Sequence, residues 1–183
     1  MKSSLLLQKE FVFKIALLGA AGVGKTSLIY RFVDNSFSQN YKSTIGTNLL
    51  SKDIKISIEN VNYDVRLVLW DFAGQDLYEK TRSIYFKGCA GAILVYDVTR
   101  PDTLYEIEKK WINDFRTHAN ANSTCILIGN KKDLSLTKKV EQFEGSIFSD
   151  KINVSCFTET SAKTGENVEE CFTKLVKEIL SKG

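Results

Sequence analysis

The chain has 183 residues, 43% of them apolar and 26% charged, as one globular domain requires. Its 25 basic and 22 acidic residues leave a net charge of +3 with no run of about five or six like charges, which argues against a nucleic-acid partner. Four scattered cysteines (Cys89, Cys125, Cys156, Cys171) and a single histidine, His118, give no metal or disulfide framework, and no apolar run approaches the ~18 residues of a membrane span.

In chain order, MKSSLLLQKE has an apolar run too short for a signal peptide and is expected to be an N-terminal extension to a domain spanning 11–181. FVFKIALLG (11–19) is a mostly apolar run of the kind that forms a strand buried on both faces. After a glycine loop, Leu28, Ile29, Phe32 and Val33 take helical spacing. Ile54, Ile56 and Ile58, then Val65, Leu67 and Leu69, alternate with polar residues around ENVN, which predicts an antiparallel hairpin. GAILVYDVT (91–99) predicts another buried strand, and Leu104, Ile107, Trp111, Ile112 and Phe115 mark one face of a helix. TCILIGNKKD repeats the strand-to-loop theme. A weaker helix around 138–150, a strand near 154–160, and a helix with Val168, Phe172, Leu175, Val176, Ile179 and Leu180 on one face complete the pattern. The alternation predicts an α/β fold: a six-stranded, mainly parallel sheet with one antiparallel strand and helices on both faces. Ligands of such sheets bind beyond the carboxyl ends of the strands, where each loop motif falls.

The octapeptide GAAGVGKT, residues 19–26, matches G-x-x-x-x-G-K-[ST]. Gly19, Ala21, Gly22, Val23 and Gly24 would curl their N–H groups around phosphate oxygens, with Lys25 reaching the β and γ phosphates, the Thr26 hydroxyl ligating Mg²⁺, and Ser27 following in the helix. GNKKD (129–133) adds the base. The Asp133 carboxylate can accept two hydrogen bonds from guanine, whereas adenine would leave it unpaired. Asn130 can bond the other edge of the base, and the stem of Lys131 can lie over the ring.

GAAGVGKT, STIG, WDFAGQ, NKKD and TSAKTG stand in the order of the Ras superfamily, and from about Phe11 to Leu180 the chain resembles a small GTPase of its Rab branch. The Rab likeness rests on YFKGCAGAILVYDVT, HANAN before CILIGNKKD, and TIG; Leu49, Phe72 and Asp76 depart from the residues usual in that branch. The P-loop Lys25 and Thr26 follow the superfamily's phosphoryl-transfer template. The resemblance implies that Ser161, Ala162 and Lys163 border guanine, and that Thr44 meets Mg²⁺ and the γ phosphate only in the GTP state. It implies that Asp71 reaches Mg²⁺ through water, Gly74 contacts the γ phosphate and Gln75 orients the attacking water. Gln75, Lys25 and Thr44 thus form the catalytic set, and Thr26, Thr44 and Asp71 the metal set. Phe37 and Tyr41 match positions beside the base and over the phosphates.

The expected cofactors are GTP or GDP with Mg²⁺. Expected partners are effectors in the GTP state, an exchange factor and a GTPase-activating protein, with Leu49, Trp70 and Tyr85 as an effector face or, equally, core packing. The protein is expected to be cytosolic and monomeric, reaching a membrane only through a lipidated tail beyond Gly183. The leading reading is a switch with slow GTP hydrolysis. Ala21, where Ras proteins carry glycine, keeps open a GTP-locked scaffold with negligible turnover; a P-loop kinase is the remote alternative.

Overall fold

A computed structural model describes residues 7–38, 44, 46–72 and 79–182 of the chain. Six strands form one sheet in the order β2-β3-β1-β4-β5-β6. Strand β1 (Leu7–Leu18) lies between β3 (Val61–Phe72) and β4 (Gly91–Asp97), parallel to both. Strands β5 (Thr124–Asn130) and β6 (Phe157–Glu159) extend the parallel sheet. Strand β2 (Thr47–Ile58) runs antiparallel to β3, so the single antiparallel pair is the hairpin expected from the alternating isoleucines. Its turn is Glu59-Asn60, both at positive φ (47° and 66°), the backbone that a tight hairpin demands.

Strand β1 begins four residues before the run from which the sequence places the start of the domain, and residues 7–17 pair with 61–71 of β3. From Ile15 onward β1, like β4, is apolar at consecutive positions because both faces are covered. Ile15, Leu17, Ile93 and Val95 meet α1 (Lys25–Asp34) and α6 (Val168–Ser181), whose Phe32 and Phe172 rings stack 3.9 Å apart. Ala16, Leu18, Leu94 and Tyr96 meet the other layer, where Phe86 ends α2 (Glu79–Phe86) and Phe148 comes from α5 (Gln142–Lys151).

The helix expected after β4 is built in three pieces. Pro101 opens α3 (Pro101–Glu106), its fixed φ suiting a first helical position. A π turn follows over Ile107–Trp111, and α4 (Ile112–His118) completes the run. All five apolar residues named for this face are buried. The widened turn brings Trp111 and Ile112 inside together and lets the Trp111 indole donate to Glu106 at 3.1 Å. A short 3₁₀ segment, Lys132–Thr137, follows β5. All four cysteines are free thiols, and burial pushes Cys89 and Cys125 up to about 11, so they behave as core residues. No helix among the described residues is long and apolar enough to cross a membrane.

From β1 the chain passes to β2 and β3 on one side of it, and from β4 it passes the opposite way to β5. The crevice between the carboxyl ends of β1 and β4 is therefore where a ligand is expected in such a sheet.

Candidate functional site

Leaving β1, the chain turns at Gly19 with φ 146°, and a Cβ there would lie 2.1 Å from the Val95 carbonyl oxygen of β4. Only glycine lets this loop press against the neighbouring strand. Lys25, 6% exposed at the start of α1, turns back and donates to the carbonyls of Gly19 at 2.7 Å and Ala20 at 2.8 Å. Arg100, just after β4, donates to the Ala21 carbonyl at 2.9 Å, and Asn130 at the end of β5 donates to the Val23 carbonyl at 2.9 Å. Four carbonyls of the loop are thus anchored by side chains. No cis peptide bond is present among the described residues, and across a trans peptide the N–H points opposite to the carbonyl. The N–H groups of Gly22 and Gly24 therefore face away from Arg100 and Asn130 and are available to an anion.

Thr26, in the first turn of α1, donates its hydroxyl to Asp71 Oδ2 at 2.5 Å and lies 2.8 Å from the Thr44 hydroxyl. Three chain segments separated by up to 45 residues bring hydroxyl and carboxylate oxygens to one point. Asp71 is fully buried, and its Oδ1 has no hydrogen-bond partner among the described residues. Burial raises the Asp71 pKa, against the Thr26 hydrogen bond and the Lys25 charge. Burial pushes the Lys25 ammonium down to about 8, with Asp71 and Glu106 pulling it up and Arg100 adding to the fall. An orphaned buried carboxylate oxygen beside two hydroxyls is a hard-oxygen set of the chemistry that Mg²⁺ takes. The residues present fit that ion.

The second half of the site hangs on Asn130. Its Oδ1 accepts from the Thr160 hydroxyl and the Ala162 N–H, each at 3.2 Å, so one amide ties the glycine loop to the loop after β6. Asp133 accepts from the Ser161 hydroxyl at 2.6 Å, with the Lys163 ammonium 4.0 Å away. Lys131 takes a left-handed φ of 71° and sets its ammonium 2.7 Å from Asp97 Oδ2. Arg31 of α1 clamps the carbonyls of Ala162 at 2.8 Å and Lys163 at 2.7 Å. The structure thus brings together Asn130, Lys131, Asp133, Ser161, Ala162 and Lys163 on one side, and Gly19, Ala21, Gly22, Val23, Gly24, Lys25, Thr26 and Ser27 with Thr44 and Asp71 on the other. Phe37 is half-buried against the core beneath α1. Tyr41, Gly74, Gln75 and Asp76 lie outside the described residues.

Arg31, Asp97 and Arg100 were not among the site residues expected from the sequence. Asp97 had a signal: one carboxylate ends an otherwise apolar strand at the carboxyl edge of the sheet, and it is 1% exposed. The two arginines had none.

Leu49 sits opposite Trp70 across the hairpin, and the Trp70 ring centroid is 5.7 Å from that of Tyr85. Leu49 is 54% exposed, whereas Trp70 and Tyr85 rest partly on the core with Phe72 between them. The trio is contiguous.

The sequence profile of the Ras family matches residues 14–181. The chain belongs to the Ras family. Ras-related protein Rab-4B of Homo sapiens is 42% identical over 173 residues, which cover 94% of this chain and 78% of that protein. Ras-related protein Rab-4A is similar to the same extent in Danio rerio, and 40% identical in Homo sapiens over 94% of this chain and 77% of the relative. The chain is therefore a Rab-like small GTPase with the α/β fold of its family, and guanine nucleotide is the family's ligand.

Proposed function

We propose that this GTPase is a Rab-like switch that holds GTP or GDP with Mg²⁺, hydrolyses GTP slowly, and meets effectors, an exchange factor and a GTPase-activating protein in the control of membrane traffic at the cytosolic face of membranes. The observation that carries the reading is the meeting of Thr26, Thr44 and Asp71 beside a loop whose carbonyls are anchored. Thr26, Thr44 and Asp71 would hold Mg²⁺, which would supply positive charge against the phosphates. Lys25 adds a second cation, and a phosphate beside it restores the charge that burial opposes.

On the base side Asp133 receives the guanine donors while Ser161 and Lys163 hold its carboxylate in place, and Ala162 presents its backbone to the ring. Lys131, its ammonium fixed on Asp97, lays its stem along the base. Phe37 and Tyr41 close the pocket, and Gly74 and Gln75 complete the γ-phosphate side, Gln75 orienting water. Thr44 links hydrolysis to output. Its contacts to the cation and the γ phosphate exist only with GTP, so their loss relaxes the segment that effectors read together with Leu49, Trp70 and Tyr85. We assign residues 11–181 to the G domain and residues 1–10 to an N-terminal extension.

The reading is tested by displacing bound fluorescent GDP: GTP and GDP compete and ATP does not, whereas equal competition by ATP overturns it. Single-turnover hydrolysis of preloaded GTP then separates a switch from a GTP-locked scaffold. A switch shows slow turnover in the wild type, slower turnover in Gln75→Leu, and only a modest change in Ala21→Gly. No turnover in the wild type with recovery in Ala21→Gly establishes the scaffold.

A further inference from the structure

We propose that Arg100 is a positioning residue for GTP, holding the Ala21 carbonyl so that the Gly22 N–H is aimed at the terminal phosphate. The inference rests on the switch reading above and deepens it. Arg100 stands where the β1 and β4 loops face each other across the crevice, and its Nη2 donates to Ala21 O at 2.9 Å. The residue itself is fixed. Its backbone N–H bonds the Asp97 carbonyl at 2.9 Å, its own carbonyl accepts from the Thr103 hydroxyl at 2.6 Å, and Pro101 follows it as the first residue of α3. Its Nε lies 3.7 Å from Asp97 Oδ2, and Asp97 is held by the Thr99 N–H at 2.9 Å, the Thr99 hydroxyl at 2.7 Å and the Lys131 ammonium at 2.7 Å.

The peptide that Arg100 holds is one that needs holding. Gly22, at φ 75°, has no side chain to resist rotation of the Ala21–Gly22 plane. A charge-assisted bond to the carbonyl makes the flipped plane costly and polarises the N–H on its far side.

The order of contacts along the loop gives the direction. The base-side loops reach the glycine loop through Asn130 at Val23. The Ala21–Gly22 peptide lies further from the base than the Val23–Gly24 peptide, so the Gly22 N–H serves a more distal phosphate.

Release of fluorescent GDP and of a fluorescent non-hydrolysable GTP analogue tests this on the wild type, Arg100→Lys and Arg100→Met. Arg100→Met should release the GTP analogue about tenfold faster, the size of one charge-assisted hydrogen bond. GDP release should stay within about twofold. Arg100→Lys, which keeps the charge and a donor, should recover most of the loss. Equal acceleration of both nucleotides, or of neither, overturns the proposal while leaving the switch reading standing. A wild type that retains no guanine nucleotide overturns both. Melting of the GDP-bound forms should be unchanged among the three proteins, and a large drop in both variants marks Arg100 as structural only and overturns the proposal.

Discussion

Asn130 uses its side-chain amide three ways, donating to Val23 and accepting from Thr160 and Ala162. The sequence suggests a residue that touches the base; the structure adds a seam between the glycine loop and the loop after β6, 107 and 32 residues from Asn130. Asn130→Ala would leave a carbonyl, an N–H and a hydroxyl of buried loops without their partners, at a cost of about 3 kcal/mol. Chemical denaturation should show that loss, and GDP release should accelerate with it. Asp133→Asn is of another kind. Its Oδ1 position can still accept from Ser161, so the fold should stand while one acceptor facing guanine becomes a donor. GDP affinity should fall by ten- to a hundredfold and xanthine-nucleotide affinity should rise, read by competition. Asp133, Lys25 and Thr26 were legible because their spacing within short loops carries their chemistry. Arg31 and Arg100 were not. Each acts on a backbone carbonyl 131 or 79 residues away, and nothing beside either arginine in the sequence marks such a contact.

Among the elements, strands buried on both faces were easiest to read, since β4 and β5 are buried at every position and read as continuous apolar runs. The hairpin was equally plain from period two. Where the structure differs, a local preference was settled by distant packing. The π turn of Ile107–Trp111 keeps the apolar face expected of a plain helix and has no sequence signature of its own; β6 keeps only three residues of its expected span. Phe72 shows how an element carries a surface. It is 5% exposed at the end of β3, with Trp70 and Tyr85 at centroid distances of 6.2 and 5.5 Å and the Phe86 ring edge-on at 5.8 Å. Phe72→Ala should cost about 3–4 kcal/mol by emptying that space. It should also loosen Trp70 and Tyr85, so effector binding should weaken more than nucleotide binding. Calorimetric binding of GDP beside pulldown of a GTP-state effector separates the two, and equal losses would show that the trio is core alone.

At the scale of the whole molecule, the two apolar layers lie on opposite faces of the sheet, and the site sits on the edge that both reach. Helix α1 packs on one layer and supplies Lys25, Thr26 and Arg31; the turn into α3 lies over the other and supplies Arg100. The loops between them meet through hydrogen bonds to carbonyls, and the buried Asp71 oxygen and Lys25 ammonium stand in the same seam. A nucleotide with Mg²⁺ should offset those buried charges and tie the loops together only in the folded state, so its binding energy adds to folding stability. At a thousand times the dissociation constant the gain is about 4 kcal/mol. For a domain of this size that corresponds to a rise in melting temperature of roughly 10 °C. Protein stripped with EDTA should melt lower by about this amount, regain it with GDP and Mg²⁺, and gain nothing from ATP and Mg²⁺. Equal gains from the two nucleotides would separate the stabilising effect from Asp133 and place it in the phosphate loop alone.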